Sequence, residues 1–168
     1  MADTEVKKIK RSEFATFLNT GTKALPVWKR MGKGITSQTI SYNPATTSET
    51  YINEDNATTN LDSYAPNIST PQTAYKGDPV FDYVDGLRKS RAVGGDAETE
   101  VLLVYVYDKN EGGKYSAERN NAVFQVDDFG GDGGSNVVIN YTVNLNGDPT
   151  QGTVTIDEDG TVTFTPTV

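Results

Sequence analysis

The 168-residue chain has no cysteine, no histidine and a single tryptophan. Without cysteine there is no disulfide framework and no thiolate nucleophile. Without histidine the usual general base near neutral pH is gone, and with it Ser-His-Asp and Cys-His arrangements and His/Cys zinc sites. No run is long or apolar enough to span a bilayer. Met1–Arg11 is charged and lacks the apolar centre of a secretory signal. Hydrophobic content is only 35%, which predicts a modest core, supplemented by the large faces of nine tyrosines and six phenylalanines. Carboxylate chemistry stays open in principle, but Glu98 and Glu100 read as solvated residues before a strand, and no catalytic or cofactor-binding constellation emerges.

Length suits one domain spanning 1–168. Formal charge is −8, from 23 acids against 15 bases, so the chain does not seek nucleic acid by electrostatics. Its bases cluster locally: Lys7, Lys8, Lys10 and Arg11, then Lys29, Arg30 and Lys33, then Arg88, Lys89 and Arg91. These read first as solvated faces, and in a polymer they could meet acidic patches on neighbours.

Most of the chain reads as strand. Ser12–Leu18 precedes the turn Asn19-Thr20-Gly21 and is expected as a short strand or arm. Val27–Met31 reads as a strand, and Thr36–Tyr42 as another, expected to pair with Ser48–Asn53 through a bend at Asn43-Pro44. Val101–Tyr107 is a continuous apolar run that suits a central strand buried on both faces. Ala122, Phe124 and Val126 alternate with polar residues, as do Val137, Ile139, Tyr141, Val143 and Leu145. Thr153–Ile156 and Thr161–Thr165 flank Asp157–Gly160 as a hairpin, with Val154, Ile156, Val162 and Phe164 on one face. One helix is expected over about 79–91. Asp78 is a good N-cap and Pro79 suits the first position. Val80, Phe81, Val84 and Leu87 form its core stripe, and Gly94-Gly95 marks its stop. The sum is a mainly β protein, an antiparallel sandwich or barrel with one flanking helix.

The long stretch Pro44–Lys76 is rich in Thr, Ser, Asn and Pro. An insertion of that size inside a small domain is usually functional or disordered. Thr50-Tyr51-Ile52 and Leu61–Ala65 argue against simple disorder and predict an extended arm or hairpin that packs on another subunit. Tyr42, Tyr51, Ile52, Leu61, Tyr64 and Ile68 are the expected inter-subunit contacts. Deleting Thr46–Thr73 is then expected to leave a folded monomer that cannot polymerise. Asp127–Gly134 has oxygen ligands and glycines, but no closing Glu at the twelfth position, so it reads as a connector rather than a calcium loop. No metal site is expected.

Met31–Pro44, Glu49–Asp55, Ser63–Pro66, Pro71-Gln72, Tyr75–Phe81, Asp96–Val101 and Val126–Gly134, in that order, resemble the major tail protein (tail tube protein) of long-tailed, non-contractile bacteriophages of Gram-positive hosts. The resemblance implies a structural virion protein with the tail tube fold, not an enzyme, and with no cofactor. It implies hexameric rings stacked into a tube that conducts double-stranded DNA into the host. It also implies partners in a tape measure protein, a tail terminator and distal tail or baseplate proteins, with synthesis in the bacterial cytoplasm and no membrane role. By position, an N-terminal arm (about 1–18) and the 44–76 loop would tie subunits together, and no extra C-terminal immunoglobulin-like domain is expected. The competing reading is a carbohydrate-binding or adhesion β-sandwich, since sugars stack on tyrosine faces.

Overall fold

The computed structural model describes residues 5–168. Residues 1–4 of the expected arm lie outside them. Within the described residues, ten strands and one α-helix follow one another. They are β1 (Phe14–Asn19), β2 (Trp28–Arg30), β3 (Thr39–Ser41), β4 (Pro44–Glu49), β5 (Thr58–Tyr64), β6 (Asn67–Thr73), α1 (Pro79–Ser90), β7 (Glu98–Lys109), β8 (Tyr115–Gly130), β9 (Val138–Ile156) and β10 (Val162–Pro166). The main sheet runs β2-β1-β7-β8-β9-β6-β3, with β10 also on β9, while β4 and β5 form a sheet of their own. The expected mainly β, antiparallel architecture with one helix is what forms. The chain divides into two compact units.

Among the described residues the first unit comprises 5–31, Thr99–Asn121 and Asp148–Val168. The apolar run of β7 organises it: Val101, Leu102, Leu103 and Val104 are all buried. β1 lies antiparallel to β7, with Phe17 opposite Leu102. Phe14–Leu18 is therefore interior strand rather than arm; its burial from Ala15 onward leaves only 5–13 outside the sheet. Ala15, Phe17, Trp28, Leu102, Val104, Ala117, Val154 and Val162 make one core cluster. Asn19 shapes the turn into β2. Its Oδ1 accepts from the Gly21 and Val27 amides at 2.9 and 3.0 Å, and its Nδ2 donates to Glu100 at 3.3 Å. Glu100 also faces Arg119 Nε at 3.7 Å and is buried, contrary to the solvated position expected of it. β9 and β10 form the expected hairpin, with Val162 opposite Ile156 and Phe164 opposite Val154. Phe164 crosses over Gly152 so closely that an added Cβ would lie 2.6 Å from its ring carbons.

The second unit comprises Gly32–Glu98 and Ala122–Gly147. Here β6 lies between β3 and β9, with Ile68 opposite both Ile40 and Val143. The expected pairing of 36–42 with 48–53 does not form. β3 takes β6 because Ile40 gains an apolar neighbour there. Two residues past β3, Asn43 turns the chain with a positive φ of 46°, and β4 pairs with β5 instead. The 44–76 stretch is therefore two things, a hairpin and a core strand. Ile68 is fully buried, so it belongs to its own unit's interior and has no surface to offer another subunit.

α1 starts as its sequence demands. Asp78 Oδ2 accepts from the Phe81 amide at 3.0 Å, satisfying one of the orphan donors of the first turn. The same carboxylate accepts from Gln72 Nε2 at 3.2 Å, and Tyr141 Oη donates to Gln72 Oε1 at 2.9 Å. Burial first, and the Asp78 charge second, push the Tyr141 phenol well above its ordinary range, so it stays a donor. The helix ends at Arg91, which adopts the left-handed conformation (φ 51°), three residues before the expected glycine stop. Val80, Phe81 and Val84 are buried. Leu87 is only half-buried, because the helix end leaves an open groove beside it.

Two substitutions test this packing. Val84→Asp puts a carboxylate at a fully buried position and should cost more than about 3 kcal/mol, seen as loss of a cooperative urea transition. Gly152→Ala should cost about 1–3 kcal/mol, because both neighbours of the added methyl, the Phe164 ring and the Thr165 carbonyl, belong to the paired strand. A wild-type midpoint for either variant would refute the corresponding contact.

Candidate assembly surface

β4 and β5 pair antiparallel from Pro44↔Tyr64 to Glu49↔Thr58, with a register shift between Ala45 and Thr46. Threonine and serine suit extended backbone and link the strands laterally. Ser48 and Thr59 hydroxyls lie 2.8 Å apart, and Thr47 donates to Asp62. At the base, Ala65 N donates to Tyr42 O at 3.0 Å, Asn43 Nδ2 to Ala65 O at 3.0 Å, and Tyr42 meets Tyr64 edge to face at 6.3 Å. At the tip, Glu54 N closes a turn on Tyr51 O at 3.0 Å.

Every residue of both strands is exposed. A two-stranded hairpin without a buried face is marginal in water, yet this one carries apolar weight. Ile52 is fully exposed at the tip, and Tyr42, Tyr51, Leu61 and Tyr64 are each about half-exposed. Five of the six expected contact residues are thus gathered on one projecting element; only Ile68 is elsewhere. The hairpin is also acidic. Residues 44–64 hold Glu49, Glu54, Asp55 and Asp62 and no Lys or Arg.

A second feature of this unit escaped the sequence reading. Between the end of α1 and β8 runs a groove of about 640 Å³, walled by Leu87, Val93, Val126 and Phe129, with Arg88 and Arg91 as the two cations in its lining. Val93 and Phe129 are exposed in it. Arg88 stacks over the Phe129 ring at 3.9 Å and is held by Asp85 at 2.7 Å, as Lys89 is at 3.0 Å. Burial alone would raise the Asp85 carboxyl, but the hydrogen bonds and charges of Arg88 and Lys89 outweigh it and hold the group below its ordinary range. Asp127 and Asp128 also line the groove. They accept from Thr142 at 2.9 Å and Asn140 at 2.5 Å on β9, so the expected connector begins as paired strand. The groove draws on segments some forty residues apart, and only Arg88, Lys89 and Arg91 signalled it as a charge cluster. Among the described residues no group of three or more Asp, Glu, His or Cys could hold a metal ion, and no helix is long and apolar enough to cross a membrane.

Neither protein-family models nor curated proteins match the sequence. Solved structures do match its fold. A chain of the tail of an empty GTA particle, refined with C6 symmetry, superposes with a TM-score of 0.60 at 11% identity, covering 85% of this chain and 98% of that one. The tube-terminating cap of an anti-feeding prophage gives 0.55 at 16%, covering 91% and 99%. The sheath/tube terminator of an extracellular contractile injection system, PVC, gives 0.51 at 13%, covering 87% and 97%. At such identities the likeness is one of fold, a fold shared with chains of phage-like tails and their caps.

Since the hairpin buries nothing, replacing Ala45–Ser63 by a short Gly/Ser turn should leave the thermal midpoint within a few degrees of wild type, by circular dichroism. Deleting Thr46–Thr73 should instead abolish folding, because it removes β6 and Ile68. The opposite order of stabilities would mean that the hairpin, not β6, holds the unit together.

Proposed function

We propose that this chain is a structural subunit that assembles with copies of itself, as stacked hexameric rings, into the tube of a phage-like tail through which double-stranded DNA passes. The observation that carries the reading is a tail-tube-like fold from which a hairpin with no buried face projects an apolar tip. A surface of that kind is stable once another molecule covers it, and repetition of one chain is the simplest way to supply the cover. The neighbours include parts of contractile injection systems, so the reading is of a tube subunit in general rather than of non-contractile tails of Gram-positive hosts alone. A terminator, a baseplate and a tape measure protein are the partners such a tube requires, and the particle's tail is its location.

Charge supports passage rather than binding. Six copies at −8 would carry about −48 per ring, and an acidic wall repels a phosphate backbone instead of retaining it.

Negative-stain electron microscopy and sedimentation velocity test the reading. Purified protein, alone or seeded with a tail tip complex, should give rings or tubes of uniform bore, and the Gly/Ser-turn variant should stay monomeric under the same conditions. A strict monomer at all concentrations, seeded or not, would overturn the proposal. Intact tubes from the variant would remove the hairpin from it.

A further inference from the structure

We infer that the hairpin tip of one copy docks in the α1–β8 groove of a second copy, Ile52 entering between Leu87, Val93 and Phe129 while Asp55 meets Arg91 at the rim. The inference rests on the self-assembly reading and assigns its contact.

Three observations point to this pairing. Ile52 is fully exposed and Tyr51 about half-exposed, so the tip is an apolar knob with nothing from its own chain over it. The groove is the complementary shape, an open trough of about 640 Å³ with Val93 and Phe129 exposed along it. Charge then selects between occupants. The hairpin bears four acids and no base. Of the two groove arginines, Arg88 is held by Asp85, whereas Arg91 makes no ion pair among the described residues. Its backbone is locked at the left-handed helix cap, where its amide donates to Arg88 O and Leu87 O, so the guanidinium is presented from a rigid point. At the tip, Glu54 accepts from Thr58 at 3.2 Å, which leaves Asp55 as the nearest uncommitted acid to Ile52. Asp127 and Asp128 oppose any acidic visitor. Their hydrogen bonds to Thr142 and Asn140 keep those carboxylates against the sheet.

A second exposed apolar segment, Val6–Ile9, lies among Lys7, Lys8 and Lys10. It would set like charges against Arg88 and Arg91, which disfavours it as the occupant.

The absence of native cysteine makes the test direct. Chains carrying Ile52→Cys are mixed with size-tagged chains carrying Val93→Cys and oxidised. A heterodimer should form in preference to either homodimer and to a control pair of Ile52→Cys with Glu158→Cys. Separately, Arg91→Glu should weaken assembly about tenfold or more, the range of a close interfacial charge pair, and Asp55→Arg in the same chain should restore it. Assembly is scored in the same samples by sedimentation. Assembled protein without the Ile52–Val93 cross-link, or without rescue by the double reversal, overturns the docking alone. Capture of Ile9→Cys by Val93→Cys in its place gives the groove to the N-terminal segment and also overturns it. Absence of both cross-link and assembly, seeded or not, overturns the docking together with the functional reading.

Discussion

The seam at Ile68 is the constraint on which the second unit depends. Ile68 sits opposite Ile40 on one side and Val143 on the other, and all solvent is excluded from it. That burial fixes β3 and β6 in the sheet and so fixes both stems of the hairpin between them. Chain that enters at Ser41 and returns at Asn67 has no apolar partner on the sheet for its own residues. It therefore pairs with itself and projects. The projecting hairpin is a consequence of where the apolar pairs stop, not of any strong preference within its own threonines and serines.

Legibility in the sequence followed the same division. α1 was readable because cap, proline and apolar stripe are local signals that agree. β7 was readable because four consecutive buried aliphatics allow little else. The alternation in β9 placed Ile139, Tyr141, Val143 and Leu145 inside, as observed. β6 was not readable. Its sequence, Asn-Ile-Ser-Thr-Pro-Gln-Thr, has one aliphatic residue, and its buried polar groups are acceptable only because distant residues satisfy them. Gln38 donates to Thr70 at 3.1 Å, and Gln72 serves Asp78, Tyr141 and the Lys33 carbonyl. Apart from Gln72–Asp78, each of those bonds joins residues more than thirty positions apart, beyond any local window of sequence. Glu100 was misread for the same reason, since Asn19 and Arg119 reach it from other strands. The exposure of Tyr42, Tyr51, Ile52, Leu61 and Tyr64 agrees with their place in a polar, extended stretch, while Ile68 is misassigned because the boundary between hairpin and core strand falls within a uniformly polar stretch. The groove lay beyond reach altogether, because it exists only once the end of α1 is brought beside β8.

On the proposed reading, folding and association draw on different residues in this chain. The interior of the second unit uses Val80, Phe81, Val84, Ile68 and Tyr141, while the exposed apolar surface lies on the hairpin and along the groove. Such a separation lets one surface change without unfolding the molecule. It also places four acids on the hairpin that the proposed docking would use. Four acids with no base on the hairpin keep free copies apart at long range, and only a cation at short range converts that repulsion into attraction.

A hairpin that buries nothing is stable only to the extent that its ladder and lateral hydroxyl bonds outweigh the entropy of ordering it, and for two strands that balance lies near zero. The proposed docking would then contribute twice, by covering Ile52 and by removing the alternative conformations of the tip. Part of the binding free energy is consumed in that ordering, so a single hairpin–groove contact is weak while several closed into a ring reinforce one another. Assembly becomes steep in concentration and sensitive to a template that orders the first hairpins. On the proposed reading, such a subunit would stay dispersed until an ordered end is presented to it.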